Sequence, residues 1–210
     1  MTAICGILGT VALMIYFSAP FWLLPLPAPT ASAEEVFTFG KNYHNTILWD
    51  TWLQQIGSLL SVIFALALVH LAGVSNEFAG RLILLVSGVI LTLSLAEGTF
   101  VLGAMQAGEN GHPASALTCL DLASVFIHIF LLAPSLFLVL GAAIWRTDIL
   151  PKIFSRLAIM LGCLFQILGI AGLFSKTAIT VVIIVLLLQN LWTLAASCTL
   201  IIRSAKKTNA

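Results

Sequence analysis

Six side chains that could do chemistry stand inside long apolar runs: Glu97, Asp121, Ser124, His128, Gln166 and Gln189. Asp121 and His128 are seven residues apart, two helical turns, so on a helix they share a face with Ser124 and Ser135. A carboxylate, a hydroxyl and an imidazole on one stripe can bind a polar ligand or act as an acid–base set. Glu97 lies seven residues from the end of its own run, roughly 10 Å deep at about 1.5 Å per helical residue. Asp50, Gln54, Ser58 and Ser61 form a second polar stripe. Charged groups inside a membrane span cost about 2.5–3.5 kcal/mol each on insertion scales, so they face a bundle interior or a watery cavity. Most of these groups fall between one surface and the midplane. A polar cavity open to the outer face, lined by spans two to six, is the economical expectation. The alternative is that they pair with each other and hold helices together, a use that suits Gln166, Gln189 and Asn190.

Sharper chemistries find no support. His44, His70, His112 and His128 are scattered singly, without HExxH or another ligand cluster for zinc. His70 and His128 fall at different depths, which does not suit haem ligation. No GxSxG elbow, P-loop or repeated Arg is present. Cys5, Cys119, Cys163 and Cys198 lie in or beside apolar segments without metal-type spacing and read as small hydrophobes. No metal and no cofactor is expected.

The elements that must position these groups follow from composition. Of the 210 residues, 60% are apolar and 8% charged, against about 45–50% and about 25% in soluble domains. So few charges cannot cover a water-soluble surface, and the excess apolar area must face lipid. A net charge of +1 gives no face for nucleic acid. Each crossing needs about 20 apolar residues, and six runs meet this, at about 4–24, 47–71, 80–104, 118–144, 153–174 and 177–202. The expected fold is all-α: a polytopic transmembrane helical bundle of six spans, forming a single integral membrane domain over residues 1–210.

A Pro-rich, small-residue linker leads from the first run to Glu34 and Glu35, and its Ala31, Ser32 and Ala33 match a signal-peptidase site. The first run lacks a basic n-region and exceeds the usual signal length, so a retained span is expected. Residues 37–52, with Trp49 and Trp52, read as an interfacial aromatic segment, and residues 106–115 as a loop. Gly57, Ser61 and Ala65 in the second span, and Gly88, Thr92 and Ala96 in the third, recur every four residues and form small faces for close helix contacts, within the chain or in a homo- or hetero-oligomer. Ala158, Gly162 and Gly169 do the same in the fifth, and Pro134 should kink the fourth. With both termini cytoplasmic, Arg81, Arg146, Lys152, Arg156, Arg203, Lys206 and Lys207 lie inside and only Lys41 and Lys176 outside. Cytoplasmic loops are enriched in Lys and Arg, so this orientation in the plasma membrane is expected.

The turn Arg146, Leu150, Pro151, Lys152, followed by Gly162, Gly169 and Gly172, resembles a bacterial multi-pass membrane-protein family, domain-of-unknown-function family 4386. Ile153, Phe154 and Ser155 stand where that family usually has Trp-Leu-Gly. The resemblance implies a six-span topology and carries no activity or site residue.

These readings favour a non-enzymatic protein that binds or transports a small amphiphilic molecule, through an outward-facing cavity whose candidate ligand-binding residues are the six named at the outset. An accessory or interaction subunit of a membrane complex is the alternative. An intramembrane enzyme using Glu97, Asp121 and His128 as acid–base groups is the third.

Overall fold

In lipid a crossing segment must satisfy its backbone internally, and an apolar chain does this as helix. The computed structural model describes residues 1–18, 27, 28 and 30–208. Its elements are α1 (Thr2–Ser18), α2 (Ala33–Leu71), α3 (Phe78–Glu109), α4 (Pro113–Leu132), α5 (Leu136–Ile144), α6 (Lys152–Gly172) and α7 (Lys176–Thr208), with no strand among the described residues. Five spans are long and apolar enough to cross a membrane: α2, α3, α4 with α5, α6 and α7. The shorter apolar α1 is the sixth member of the helical bundle. The end of the expected first run, residues 19–24, lies outside the described residues.

Two elements are longer than their apolar cores. Helix α2 has 39 residues, roughly 58 Å at about 1.5 Å per residue, where a bilayer core is about 30 Å. It starts early because Ser32 caps it: the Ser32 Oγ accepts the Glu35 N–H at 3.3 Å while the Ser32 N–H donates to Glu35 Oε2 at 2.7 Å. Residues 37–52 are therefore part of the same helix as the span that follows them. Most of the expected 106–115 loop is helix too, since α3 runs to Glu109 and α4 begins at Pro113. Gly111, at φ +74°, makes the turn between them. The extended ends of α2 and α3 pack closely because Gly40 and Gly108 let each backbone approach the other, against Met105 and Val36. His44 Nδ1 and Glu109 Oε1 lie 2.6 Å apart across this extension.

The spans form a ring in chain order. Each packs on its neighbour, and α1 closes the circle between α2 and α7. The small residues allow this closure. A methyl group at Gly6 would overlap Ser197 and Phe64, and one at Gly57 would come within 2.8 Å of Leu13. The α2 small face thus serves an internal contact, whereas Gly88 of α3 has open space before it and Thr92 is exposed. On the other side of the ring, Gly162 and Gly169 let α6 press against the backbone of Leu138 and Leu131.

At the end carrying both chain termini the ring is filled. Phe64, Leu68, Ile83, Val86, Leu140, Ile144, Leu161, Trp192 and Ala196 form one buried cluster there. The turn beneath it is clamped: Arg203 donates to the carbonyls of Asp148 and Ile149 at 2.7 and 2.8 Å. Lys152 donates to those of Trp145 and Thr147 at 3.3 and 3.1 Å. Lys152 thereby meets the carbonyl of Trp145, the C-cap of α5, where positive charge is favoured, while Arg203 holds the turn that leads to α6.

Candidate functional site

Above the filled end, the ring encloses a cavity of about 170 Å³ to which α1 through α7 all contribute. Its wall is mostly apolar and includes the aromatic rings of Tyr16, Phe17, Phe130, Phe137 and Phe165. The polar part comes chiefly from the facing stripes of α2 and α3. Gln54 and Ser58 are one turn apart on α2, and Ser94 and Glu97 nearly one turn apart on α3, so antiparallel packing sets them opposite one another. Gln54 Nε2 donates to Glu97 Oε2 at 2.7 Å, and the Ser58 and Ser94 hydroxyls share a bond at 3.1 Å. Gly98 makes the approach possible, because a Cβ there would sit 2.6 Å from the Gln55 amide and 2.8 Å from Thr51. Glu97 is 9% exposed and lines the cavity. Asp50, one turn before Gln54, is 4% exposed, and its Oδ2 has no hydrogen-bond partner among the described residues. Tyr16 of α1 lines the same cavity as Glu97.

Opposite this seam, Gln189, Asn190 and Thr193 of α7 also line the cavity. Their donors are engaged by backbone: Gln189 Nε2 by the Leu161 carbonyl of α6 at 3.4 Å, Asn190 Nδ2 by Leu186 at 3.0 Å and Thr193 Oγ1 by Gln189 at 3.0 Å. Thr10 of α1 donates to the Asn190 carbonyl at 3.4 Å, tying α1 to α7 at this level.

The fourth span reaches the cavity as a break. Proline in a helix interior lacks a donor and clashes with the preceding turn, and here the expected kink is a full interruption: Ala133, Pro134 and Ser135 separate α4 from α5. The interruption orphans backbone groups at membrane depth. Gln166 of α6 satisfies two of them, accepting the Ser135 N–H at 3.2 Å and donating to the Leu132 carbonyl at 3.4 Å. Ala133, Pro134 and Ser135 all line the cavity.

The six sequence candidates therefore separate. Glu97 and Gln189 line the cavity, and Gln166 lies behind its wall as a brace for the broken helix. Asp121, Ser124 and His128 do not line it. Asp121 and Ser124 are exposed, and His128 Nδ1 donates to the Ser124 carbonyl of its own helix at 2.7 Å. Helix α4 turns Ile127, Phe130 and Leu131 to the cavity instead. Tyr16, Gln54, Ser58, Ser94, Asn190 and Thr193 are among the polar cavity residues that the six candidates omit. The Gln54–Ser58 stripe was a visible signal for one wall, whereas Tyr16 sits in an unremarkable apolar run. Among the described residues no group of three His, Cys, Asp or Glu side chains is placed to hold a metal ion. No known protein family, curated protein or solved structure matches the chain.

Proposed function

We propose that this membrane protein binds a small amphiphilic molecule in the ring cavity and carries it between the cavity and the outer face. The observation that carries the reading is the composition of the wall: a mostly apolar, aromatic lining with a polar seam, Gln54, Ser58, Ser94 and Glu97, on one side and a few polar groups of α7 facing it. Such a lining with a few converging polar groups is what small-molecule sites share. The filled core at the end bearing both termini supports access from the opposite end. The test is thermal unfolding in nanodiscs against a panel of short-chain amphiphiles. A binder raises the melting temperature by mass action, and Ser94→Phe, which fills the cavity, removes the rise. A panel without any rise, or an equal rise in the filled variant, sinks the proposal.

The orientation belongs to the same reading: both termini cytoplasmic, in the plasma membrane, with α1 retained. Seven of the nine Lys and Arg residues belong to the end with the termini on this reading, and α1 supplies Leu13, Tyr16 and Phe17 to the cavity. Labelling of Ser204→Cys from outside intact cells, with Asn110→Cys protected, contradicts it. A purified chain whose intact mass begins at Glu34 contradicts the retained helix. Membership of the bacterial family that the turn resembles is also proposed. Its support is that Leu150 is buried, Pro151 caps α6 and Lys152 holds the turn.

One observation favours the second reading, an accessory subunit. Asp121 and Ser124 are exposed on α4. A partner helix there would shelter polar groups that lipid leaves unsatisfied. Chemical cross-linking from Ser124→Cys in native membranes tests this: a discrete adduct supports it, and none speaks against it.

A further inference from the structure

The chemistry of the seam allows the occupant to be specified further, on the premise that the cavity is a binding site. Glu97 is buried at the cavity wall, and its visible partner, Gln54, is a neutral amide. Asp50 lies one turn along the same α2 stripe, equally buried, with one oxygen unpartnered. No Lys, Arg or His is among the described residues that line the cavity. The chain thus brings one carboxyl group, that of Glu97, to an apolar chamber, with Asp50 one turn beyond its partner Gln54, and no described lining residue supplies a cation to meet it. A buried carboxylate is stabilised by a paired charge, which here a cationic ligand would supply. The rest of the lining agrees, since aromatic faces attract cations, above all alkylated ammonium groups that shed water easily. We propose that the cavity takes a lipophilic cation: an amine or quaternary ammonium head on a short hydrocarbon or aromatic body. Its head sits between Glu97 and Tyr16, and its body lies against Phe130, Phe137 and Phe165.

A charge series separates this proposal from the broader one. Hexyltrimethylammonium, neutral hexyl glycerol ether and anionic hexanesulfonate share one tail and are titrated calorimetrically into the protein in phosphatidylcholine nanodiscs, with empty nanodiscs as baseline. The cation should bind at least about tenfold more tightly than either companion, in keeping with the loss that follows when a buried charge is left unpaired. Glu97→Gln should bring the cation down to the affinity of the neutral probe by lowering the cation's affinity far more than the neutral probe's, a pattern that mere loosening of the bundle would not produce. If the neutral probe matches the cation, or Glu97→Gln leaves the cation's affinity intact, the cation proposal falls and the cavity reading stands. If none of the three binds above baseline, both fall. Should Glu97→Gln fail to fold, the wild-type series decides alone.

Discussion

Glu97 and His128 are polar residues on adjacent helices, α3 and α4, yet their surroundings have little in common. Glu97 is held by a side chain of another helix and lines the cavity. His128 is held by the carbonyl of Ser124 one turn back on its own helix and stays half-buried outside the cavity. The difference is angular. Each residue step turns a helix by about 100°, so Ile127, a cavity residue, and His128 point in well-separated directions. A titratable group inside a span therefore marks a polar stripe without saying whether that stripe meets a neighbour. The neighbour decides how much the group contributes.

The largest effect should come from the group with two interhelical bonds. Gln166→Leu leaves the Leu132 carbonyl and the Ser135 N–H of the broken helix unsatisfied, a loss of about 2–4 kcal/mol. Equilibrium unfolding by SDS in mixed micelles would read this, and a wild-type curve would show that the break satisfies itself. Next is Glu97→Leu, which strands the Gln54 amide and should cost about 1–3 kcal/mol and remove amphiphile binding as well. Stability and binding that both survive would dissolve the contrast with α4. Ser94→Ala removes one hydroxyl pair and should cost only about 0.6 kcal/mol, the average for an interhelical hydrogen bond in a membrane. A double-mutant cycle with Ser58→Ala measures that coupling directly. The smallest change belongs to His128→Ala, which should stay within about 0.5 kcal/mol of wild type with probe affinity unaltered. A tenfold loss of affinity there would restore the α4 stripe to the site.

Individual residues show how far the sequence could be read. Pro134 announced a disturbance in the fourth span, but its extent depends on Gln166, 32 residues later, whose amide reaches back to both sides of the break. The stripe of Gln54, Ser58 and Ser61 was visible by spacing, and Ser94 and Glu97 complete it only through α2–α3 packing. Ala31 to Ala33 matched a cleavage site, while Ser32 and Glu35 held the other pattern at that point, a capping box, that starts a helix longer than its apolar core. Gly57 and Gly88 were equal members of small-residue series, yet α1 covers one and the other has open space before it.

By itself the sequence determined the class of this protein. Transfer of apolar surface from water is a local, additive quantity that run length and composition express directly, so the helical bundle follows from it. What only the tertiary structure decided is which face of each span turns inward, and hence which polar residues share a cavity. Helix orientation about its own axis depends on the sum of many neighbour contacts, each small, made by residues distant in the chain. Lipid rewards every apolar face alike, so hydrophobicity alone cannot choose among them.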